Sequence, residues 1–344
     1  MKVTDLHSGP APSNGVLLEV ERLEVSVPIS GRNFPAVTDI SFQIQRGESV
    51  GLVGESGSGK SLTASAIMGI LPQLVRATGG EVRFEGRDLL SQSPRELARI
   101  RGSEIGFIFQ DPGVALDPLM TIGRHLEEAI RQHRPMSRRA ARSRAIEAMA
   151  EVGIADPTRR VDQYPHEFSG GMKQRAMIAI AIVNRPKLII ADEPTTALDV
   201  TIQAQILDLI RRIQDDTGAA LLLITHDLGV IAEMTSRVFV MYGGRVVEEC
   251  TSDEAFHRSL HPYTHALLEC LPTLTADGAT LPSIPGYPPT LDERPQGCCF
   301  ADRCPLRRGR QECETEPLLV EHRAGHFAAC HFWEELAQKE GEES

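Results

Sequence analysis

The sequence predicts an α/β protein with a mostly parallel sheet at its core, and three observations lead to this prediction. An apolar, strand-like run at 49–53 passes through a glycine-rich turn into a helix-like stretch at 60–71. Two further apolar runs, at 187–191 and 220–225, flank a helix-like stretch at 200–216, and such alternation is typical of parallel sheets. An apolar fraction of 41% over 344 residues is enough to fill a large core.

Three other segments depart from this alternation. Residues 16–50 alternate apolar and polar positions, which predicts a layer of antiparallel strands before the core. Residues 112–185 are expected to form an inserted helical subdomain, in which 137–152 is a helix capped by Ser137. Six prolines at 272–297 predict an extended linker, and a small cysteine-rich module with an acidic tail follows it.

Composition and charge restrict the classes of function. A net charge of −11 and an aromatic content of 5% argue against nucleic acid as a partner. Residues 1–15 are polar and contain Pro10, Pro12 and Gly15, so we expect a disordered tail there, and they lack the basic and apolar regions of an export signal. The longest apolar stretches are far shorter than the about 20 residues that span a bilayer, so membrane attachment should go through partners. Seven cysteines in an unexported chain are expected to be thiols or metal ligands rather than disulfides.

A phosphate loop lies between the first core strand and its helix. Every required position of the pattern G-x-x-x-x-G-K-[ST] is filled in the right context, which disfavours a chance glycine-rich turn. Backbone N–H groups of such a loop face phosphate oxygens, Lys60 reaches the β- and γ-phosphates, and the Ser61 hydroxyl binds Mg²⁺. The residues expected to bind nucleotide here are Gly54, Glu55, Ser56, Gly57, Ser58, Gly59, Lys60, Ser61 and Leu62.

Two carboxylates follow the apolar run at 187–191. A strand-end aspartate is suited to hold Mg²⁺ through water, and an adjacent glutamate to activate the attacking water. We therefore expect Asp192 to be a metal residue and Glu193 to be the catalytic base. The alternative is a pair of solvated loop carboxylates, which the phosphate loop in the same chain disfavours.

A second anion-binding helix end is predicted at the signature segment, 169–171. Ser169 can cap an alanine-rich helix whose first residues, Gly170 and Gly171, leave backbone N–H groups bare. Three more polar residues are candidates for the site: two of them directly follow predicted strands, and one lies in the turn that comes after Glu193. They are Gln110 after the predicted strand 105–109, Asp199 in the turn Ala197-Leu198-Asp199, and His226 after 220–225.

In their order along the chain these motifs resemble those of ABC ATPases, and the resemblance covers about residues 16–250. It implies a P-loop NTPase fold with a RecA-like core, and ATP and Mg²⁺ as cofactors. It also implies that two ATPase subunits pair head to tail, with each ATP between the phosphate loop of one and the signature segment of the other. In this picture Glu193 polarises the attacking water, His226 contacts the γ-phosphate, and Gln110 links Mg²⁺ and water to the permease contact.

The resemblance leaves three further positions to consider. Asp199 is expected to communicate across the dimer. Met172 stands where glutamine is usual, so we expect Ser169 and backbone N–H groups to hold the phosphate without that amide. Phe34 is the candidate for stacking on adenine, and a buried strand residue is the alternative.

Beyond these motifs, short segments resemble the C-terminal extension of oligopeptide/dipeptide permease ATPases. They are His261-Pro262-Tyr263-Thr264, Pro285-Gly286 and the cysteine-rich run at 297–305. The resemblance implies a [4Fe–4S] cluster held by Cys298, Cys304, Cys313 and Cys330.

Two alternatives to the cluster remain open. Four thiolates also suit zinc, although the tight C-x₂-C pairs usual for structural zinc do not occur. Free cysteines packed as small apolar side chains are the other alternative. In these interpretations Cys299 is a spare thiol, and His322, His326 and His331 could each replace a cysteine.

The resemblance implies an ATP-binding and hydrolysing subunit of an ABC importer, with an ATPase domain at 16–257 and a permease-type extension at 258–344. The solutes would be dipeptides, oligopeptides or related compounds. The expected partners are a second, non-identical ATPase subunit, two transmembrane permease subunits and an extracytoplasmic substrate-binding protein, with the chain at the cytoplasmic face of the cell membrane. The alternative is a non-transport ABC ATPase acting on DNA or the ribosome, which the acidic charge disfavours.

Overall fold

The computed structural model describes residues 15–196, 198–270 and 283–342. The predicted tail at 1–15 lies outside these residues except for Gly15, and so does the first part of the predicted linker. Residues 283–297, the described part of that linker, are free of helix and strand. Among the described helices, none is both long enough and apolar enough to cross a bilayer.

The first strands form an antiparallel sheet, as their alternation predicts. Its strands, in spatial order, are β2 (Arg32–Gln45), β1 (Val16–Ile29), β4 (Arg76–Phe84) and β5 (Arg87–Asp88). Val20 of β1 lies opposite Phe42 on one side and Val82 on the other. These side chains are buried against α1 (Lys60–Met68) and one face of the second sheet. The sheet therefore covers the phosphate-loop helix from one side.

The second sheet combines parallel and antiparallel strands. Its spatial order is β11 (Val320–Arg323), β12 (His326–Ala328), β10 (Arg245–Thr251), β9 (Arg237–Tyr242), β3 (Ser49–Val53), β8 (Ala220–Thr225), β7 (Leu188–Asp192) and β6 (Ile105–Ile108). The strands from β9 to β6 are parallel, and β10, β12 and β11 continue the sheet antiparallel. Every residue of β7 and β8 is buried, because helices cover both faces.

The helices of the inserted region pack on the face of the second sheet opposite α1. They are α3 (Pro112–Ala115), α4 (Ile122–His133), α5 (Arg138–Glu151), α6 (Pro157–Arg160) and α7 (Gly170–Ile182). The helices elsewhere are α2 (Pro94–Ile100), α8 (Val200–Thr217), α9 (Leu228–Met234), α10 (Ser252–His257), α11 (Pro262–Glu269) and α12 (Trp333–Glu342). Ser137 caps α5 as predicted. The helix predicted at 60–71 ends earlier, at Met68, because Gly69 adopts a left-handed conformation that closes it.

The cysteine-rich segment shares its core with the rest of the chain. Strand β12 pairs with β10, so Glu248 lies opposite Ala328 and the hairpin of β11 and β12 extends the second sheet. Cys298, Phe300 and Cys313 belong to the same buried cluster as the helices on that face. The segment thus packs directly beside the residues that follow β9, which lie near the phosphate loop.

Candidate nucleotide site

The phosphate loop turns sharply between β3 and α1. Gly54 has a φ of 155°, and a Cβ there would lie 2.1 Å from the Met241 carbonyl oxygen, so no other residue fits. Gly59, with a φ of 104°, precedes α1 without any side-chain cap, and the first turn of the helix is free of acidic residues. The bare N–H groups of this helix end suit phosphate oxygens.

Lys60 is buried beneath the loop. Its Nζ donates to the carbonyl oxygens of Gly54 at 2.6 Å and Glu55 at 2.9 Å, and to Ser58 Oγ at 3.3 Å. Burial lowers the pKa of Lys60, while the charges of Glu193 and Asp192 act to raise it. The ammonium group is thus held at the loop with carboxylates nearby, and Ser56, Gly57 and Leu62 complete the predicted loop beside it.

Two predicted metal residues are within hydrogen-bonding distance of each other. Ser61, in the first turn of α1, donates from Oγ to Asp192 Oδ1 at 3.0 Å. Asp192 ends β7 and is buried, and burial raises the pKa of its carboxyl group. A hydroxyl and a carboxylate are both oxygen donors of the kind Mg²⁺ prefers, so these residues fit that ion.

Glu193 lies at the centre of a polar cluster that includes both other predicted catalytic residues. Gln110 Nε2 donates to Glu193 Oε2 at 2.8 Å, and His226 Nδ1 lies 3.4 Å from Glu193 Oε1. Thr196 Oγ1 also donates to Glu193 Oε2, at 2.8 Å. The backbone of Glu193 has a φ of 45°, a left-handed conformation that is costly for a glutamate and is often found at functional sites.

Sequence reasoning missed Thr196 and a second support for this turn. Gln174, in α7 and buried, donates from Nε2 to the carbonyl oxygen of Pro194 at 2.5 Å. The bond ties the helix of the signature segment to the residue that follows Glu193. The threonines of the run Pro194-Thr195-Thr196 offered a weak sequence signal, whereas nothing local to Gln174 indicated its partner.

The signature segment lines a cavity to which the phosphate loop contributes no residue. Ser169 Oγ accepts from Met172 N at 3.4 Å, so the predicted cap of α7 is present. Gly170 and Gly171 share a surface cavity with Leu198 and Asp199, and none of the phosphate-loop residues lines it. Asp199 itself caps α8 by accepting from Ile202 N at 2.9 Å. Ala197 of the predicted turn lies outside the described residues.

Phe34, the candidate for adenine, lies in β2 opposite Val27 and is partly exposed. The carbonyl oxygens that follow it, of Pro35 and Ala36, accept from the guanidinium of Arg294. The same Ala36 oxygen lies 3.2 Å from the position of a Cβ on Gly59. The segment after Phe34 is therefore adjacent to the phosphate loop.

The four predicted cluster cysteines are free thiols in mutual proximity. Burial, with a smaller contribution from the charges of the other cysteines of the set, raises the pKa of Cys298 to about 11 and that of Cys330 to about 12. Burial likewise raises the pKa of Cys304 and Cys313, and the charge of Cys313 raises that of Cys304 further. Cys299, the spare thiol, is also free, and its pKa is raised to about 12.

The histidines considered as substitutes have other contacts. His322 Nε2 lies 3.1 Å from the Ala328 oxygen, and its ring stacks on Trp333. His331 Nε2 lies 3.1 Å from the Thr315 oxygen. His326 is buried, with Nε2 at 2.7 Å from Glu248 Oε1, and its Nδ1 is without a hydrogen-bond partner.

Comparisons with known proteins identify the family of the chain. The family model described as "ABC transporter" matches residues 37–196, and that of the "Oligopeptide/dipeptide transporter, C-terminal region" matches residues 247–313. The chain is 49% identical to a probable peptide ABC transporter ATP-binding protein of Sinorhizobium fredii, over 93% of this chain and 96% of that protein. It is also 49% identical to the dipeptide transport ATP-binding protein DppD of Bacillus subtilis, over 85% and 87% of the two chains.

A solved structure gives the same fold. It is the dimeric, post-hydrolysis state of the ATP-binding cassette MJ0796 bound to ADP and Pi, with a TM-score of 0.62 and 29% identity. The structural match covers 69% of this chain and 99% of the MJ0796 chain, so the predicted ATPase cassette fold is confirmed. The chain belongs to the ATP-binding proteins of ABC transporters, in the branch that carries the oligopeptide/dipeptide transporter C-terminal region.

Proposed function

We propose that the chain hydrolyses ATP to drive uptake of dipeptides, oligopeptides or related solutes through an ABC importer. The observation that carries the hydrolytic part is the cluster of Gln110, Thr196 and His226 around the Glu193 carboxylate. The match to the oligopeptide/dipeptide transporter region and the names of the relatives support the class of solute. The same matches do not favour a non-transport ATPase acting on DNA or the ribosome.

In the proposed site each residue has a distinct task. N–H groups of the phosphate loop and Lys60 would bind the phosphates, and Ser61 and Asp192, with Gln110, would hold Mg²⁺. Bound Mg²⁺ would neutralise charge on the β- and γ-phosphate oxygens. Glu193 orients the attacking water and accepts its proton, and the hydrogen bonds from Gln110 and Thr196 hold the carboxylate in place. His226 contacts the γ-phosphate.

The proposed partners include a second ATPase subunit. Ser169, Gly170, Gly171 and Asp199 line a cavity to which the phosphate loop of their own chain contributes no residue, which supports an ATP site completed by the signature segment of another chain. A related cassette forms a dimer with bound ADP and Pi. The further proposed partners are two permease subunits and an extracytoplasmic binding protein, with this chain at the cytoplasmic face of the membrane.

We also propose an ATPase domain at 16–257 and an extension at 258–344 that carries a metal centre. Cys298, Cys304, Cys313 and Cys330 would be its ligands. Cys298 and Cys313 are buried, Cys304 and Cys330 are half-buried, and the charges of the other cysteines of the set act on Cys298 and Cys330, which supports the set. We propose a [4Fe–4S] cluster rather than zinc, because the sequence lacks the tight C-x₂-C pairs usual for structural zinc.

Replacing Glu193 tests the hydrolytic part of the proposal. In the assembled complex, Glu193→Gln should bind ATP as tightly as the unsubstituted protein, because glutamine keeps the size and the acceptor oxygen of the side chain. Turnover should fall by about 10²- to 10⁴-fold, the usual contribution of general base catalysis. ATPase turnover and uptake of a labelled dipeptide by reconstituted vesicles are the measurements.

Glu233→Gln is the matched control, because Glu233 is an exposed glutamate whose ion pair with Arg211 lies outside the site. It should leave turnover and uptake unchanged. Unchanged turnover in Glu193→Gln would remove Glu193 from its role. Normal ATP turnover in the unsubstituted complex without uptake of any dipeptide or oligopeptide would reject the proposed class of solute.

A further inference from the structure

An arginine of the cysteine-rich segment reaches the phosphate loop. Arg303 lies next to Cys304 in sequence, and its guanidinium makes a two-bond contact with the carboxylate of Glu55. Nη1 lies 2.5 Å from Oε2, and Nη2 lies 3.1 Å from Oε1. The Arg303 side chain is 5% exposed and that of Glu55 is 26% exposed, so the pair is largely shielded from water. The two residues are 248 positions apart in the chain.

The other contacts of Arg303 anchor it to its own surroundings. Its Nε donates to the Pro285 oxygen at 3.0 Å, and its Nη groups also donate to the Ile284 oxygen and the Tyr242 hydroxyl, both at 3.3 Å. These partners are neutral, and Glu55 is the acid with which the guanidinium pairs. A planar guanidinium held in this way directs two parallel N–H donors, in a fixed orientation, towards the two oxygens of a carboxylate.

Glu55 is held at its backbone as well as at its carboxylate. The Tyr263 hydroxyl accepts from Glu55 N at 2.7 Å. The ring of Phe300, from the cysteine-rich segment, packs against those of Tyr242 and Tyr263, at centroid distances of 5.1 and 5.3 Å. The position of Glu55 therefore depends on residues near and within the cysteine-rich segment.

The position and charge of Glu55 both matter for a bound triphosphate. Its carbonyl oxygen accepts from Lys60 Nζ at 2.9 Å, so a displaced Glu55 would displace the lysine that binds phosphate. Its carboxylate also adds a negative charge to a loop that binds an anion, and unlike charges nearby offset such repulsion. Arg303 meets both requirements, because it holds the carboxylate and neutralises it.

We propose that Arg303 is a positioning residue for the nucleotide site: through its ion pair with Glu55, the cysteine-rich segment sets the affinity of the phosphate loop for ATP. The proposal rests on ATP binding at that loop and adds a residue and a segment that the motifs of the ATPase do not include. Loss of order in the cysteine-rich segment would then weaken ATP binding.

A cycle of two substitutions in the full-length chain tests the proposal. The variants are Arg303→Gln, Glu55→Gln and the double variant, and the measurement is the Kd of Mg²⁺ and a non-hydrolysable ATP analogue by calorimetry. Arg307→Gln is the matched control, because Arg307 is an exposed arginine of the same segment whose ion pair is with Asp302 and not with a residue of the phosphate loop. Near-ultraviolet circular dichroism of each variant reports whether the segment remains ordered.

We expect Arg303→Gln to raise the Kd about tenfold, the effect of one uncompensated charge close to the ligand. Glu55→Gln should change it by no more than about twofold, because this variant removes the carboxylate that needs neutralising, and Arg307→Gln should leave it unchanged. The double variant should return to the Kd of Glu55→Gln, because the unpaired carboxylate is then gone. A purely structural role for Arg303 would not be rescued in this way.

Two results would overturn the proposal. One is a Kd for Arg303→Gln equal to that of the unsubstituted chain. The other is a double variant that binds as weakly as Arg303→Gln or more weakly. If the unsubstituted chain itself failed to bind the analogue, the assignment of the phosphate loop would be wrong, which is a separate and recognisable result.

Discussion

Glu85 connects the two sheets, and replacing it should destabilise the protein in a pH-dependent way. Glu85 follows β4 of the antiparallel sheet. Its carboxylate accepts a hydrogen bond from Lys187 Nζ at 2.7 Å, and Lys187 immediately precedes β7 of the second sheet. The carboxylate also accepts from Arg46 Nη2 at 2.6 Å. Glu85→Gln keeps the shape of the side chain but removes the charge that both cations contact.

The pKa of Glu85 gives the size of the effect. Burial raises that pKa, but the hydrogen bonds and charges of Lys187 and Arg46 outweigh burial and lower it from 4.5 to about 2. A shift of about 2.5 units corresponds to at most about 3.4 kcal/mol. Because Lys187 and Arg46 are about half exposed, solvent screening reduces the expected loss in Glu85→Gln to about 1–2 kcal/mol.

The sign of the pH dependence follows from the lowered pKa. The contribution of Glu85 to the free energy of unfolding is fully present above pH 4.5 and is lost as the pH falls towards about 2. Urea unfolding of the unsubstituted chain and of Glu85→Gln should therefore show their full difference at pH 7. At pH 3 the difference should be less than about half as large.

Glu81→Gln is the control, since Glu81 lies in β4, the strand that immediately precedes Glu85, and pairs with Arg83, but its side chain is 50% exposed. It should change the free energy of unfolding by less than about 0.5 kcal/mol. The reasoning would be refuted if Glu85→Gln cost no more than Glu81→Gln, or if its cost did not shrink as the pH fell.

Two further substitutions test the phosphate loop and the cysteines. Gly54→Ala should abolish ATP binding, measured by calorimetry, because its Cβ would meet the Met241 oxygen, whereas Gly218→Ala, with a positive φ but open space, should leave binding intact. Binding by Gly54→Ala would contradict the assigned loop geometry. Cys298→Ser should remove iron from anaerobically purified protein, and Cys270→Ser should not. Equal iron contents in the two cysteine variants would exclude Cys298 as a ligand.

Local patterns in the sequence predicted the elements that carry the chemistry. Strand β8 and the cap at Ser169 lie where apolar periodicity and a capping residue placed them. The phosphate loop was predictable because its glycines, lysine and serine act within one turn of backbone. Where a boundary was wrong, as at the end of α1, a single glycine conformation decided it.

Contacts between distant segments could not be predicted in this way. The bond from Gln174 to the Pro194 oxygen and the left-handed backbone of Glu193 depend on how α7 packs against the end of β7. The pairing of β12 with β10 was equally hidden, because the short hairpin carries no pattern that names its neighbour.

The sequence by itself determined the phosphate loop, the strand-end carboxylates and the signature segment, since each is a short motif whose chemistry is local. Only the tertiary structure decided what surrounds them. Arg303 is an unremarkable arginine in the sequence, and it becomes part of the nucleotide site because packing brings it to Glu55 across 248 residues. The physical reason is that a motif encodes its own backbone geometry, while the partner of a buried charge is chosen by the folding of the whole chain.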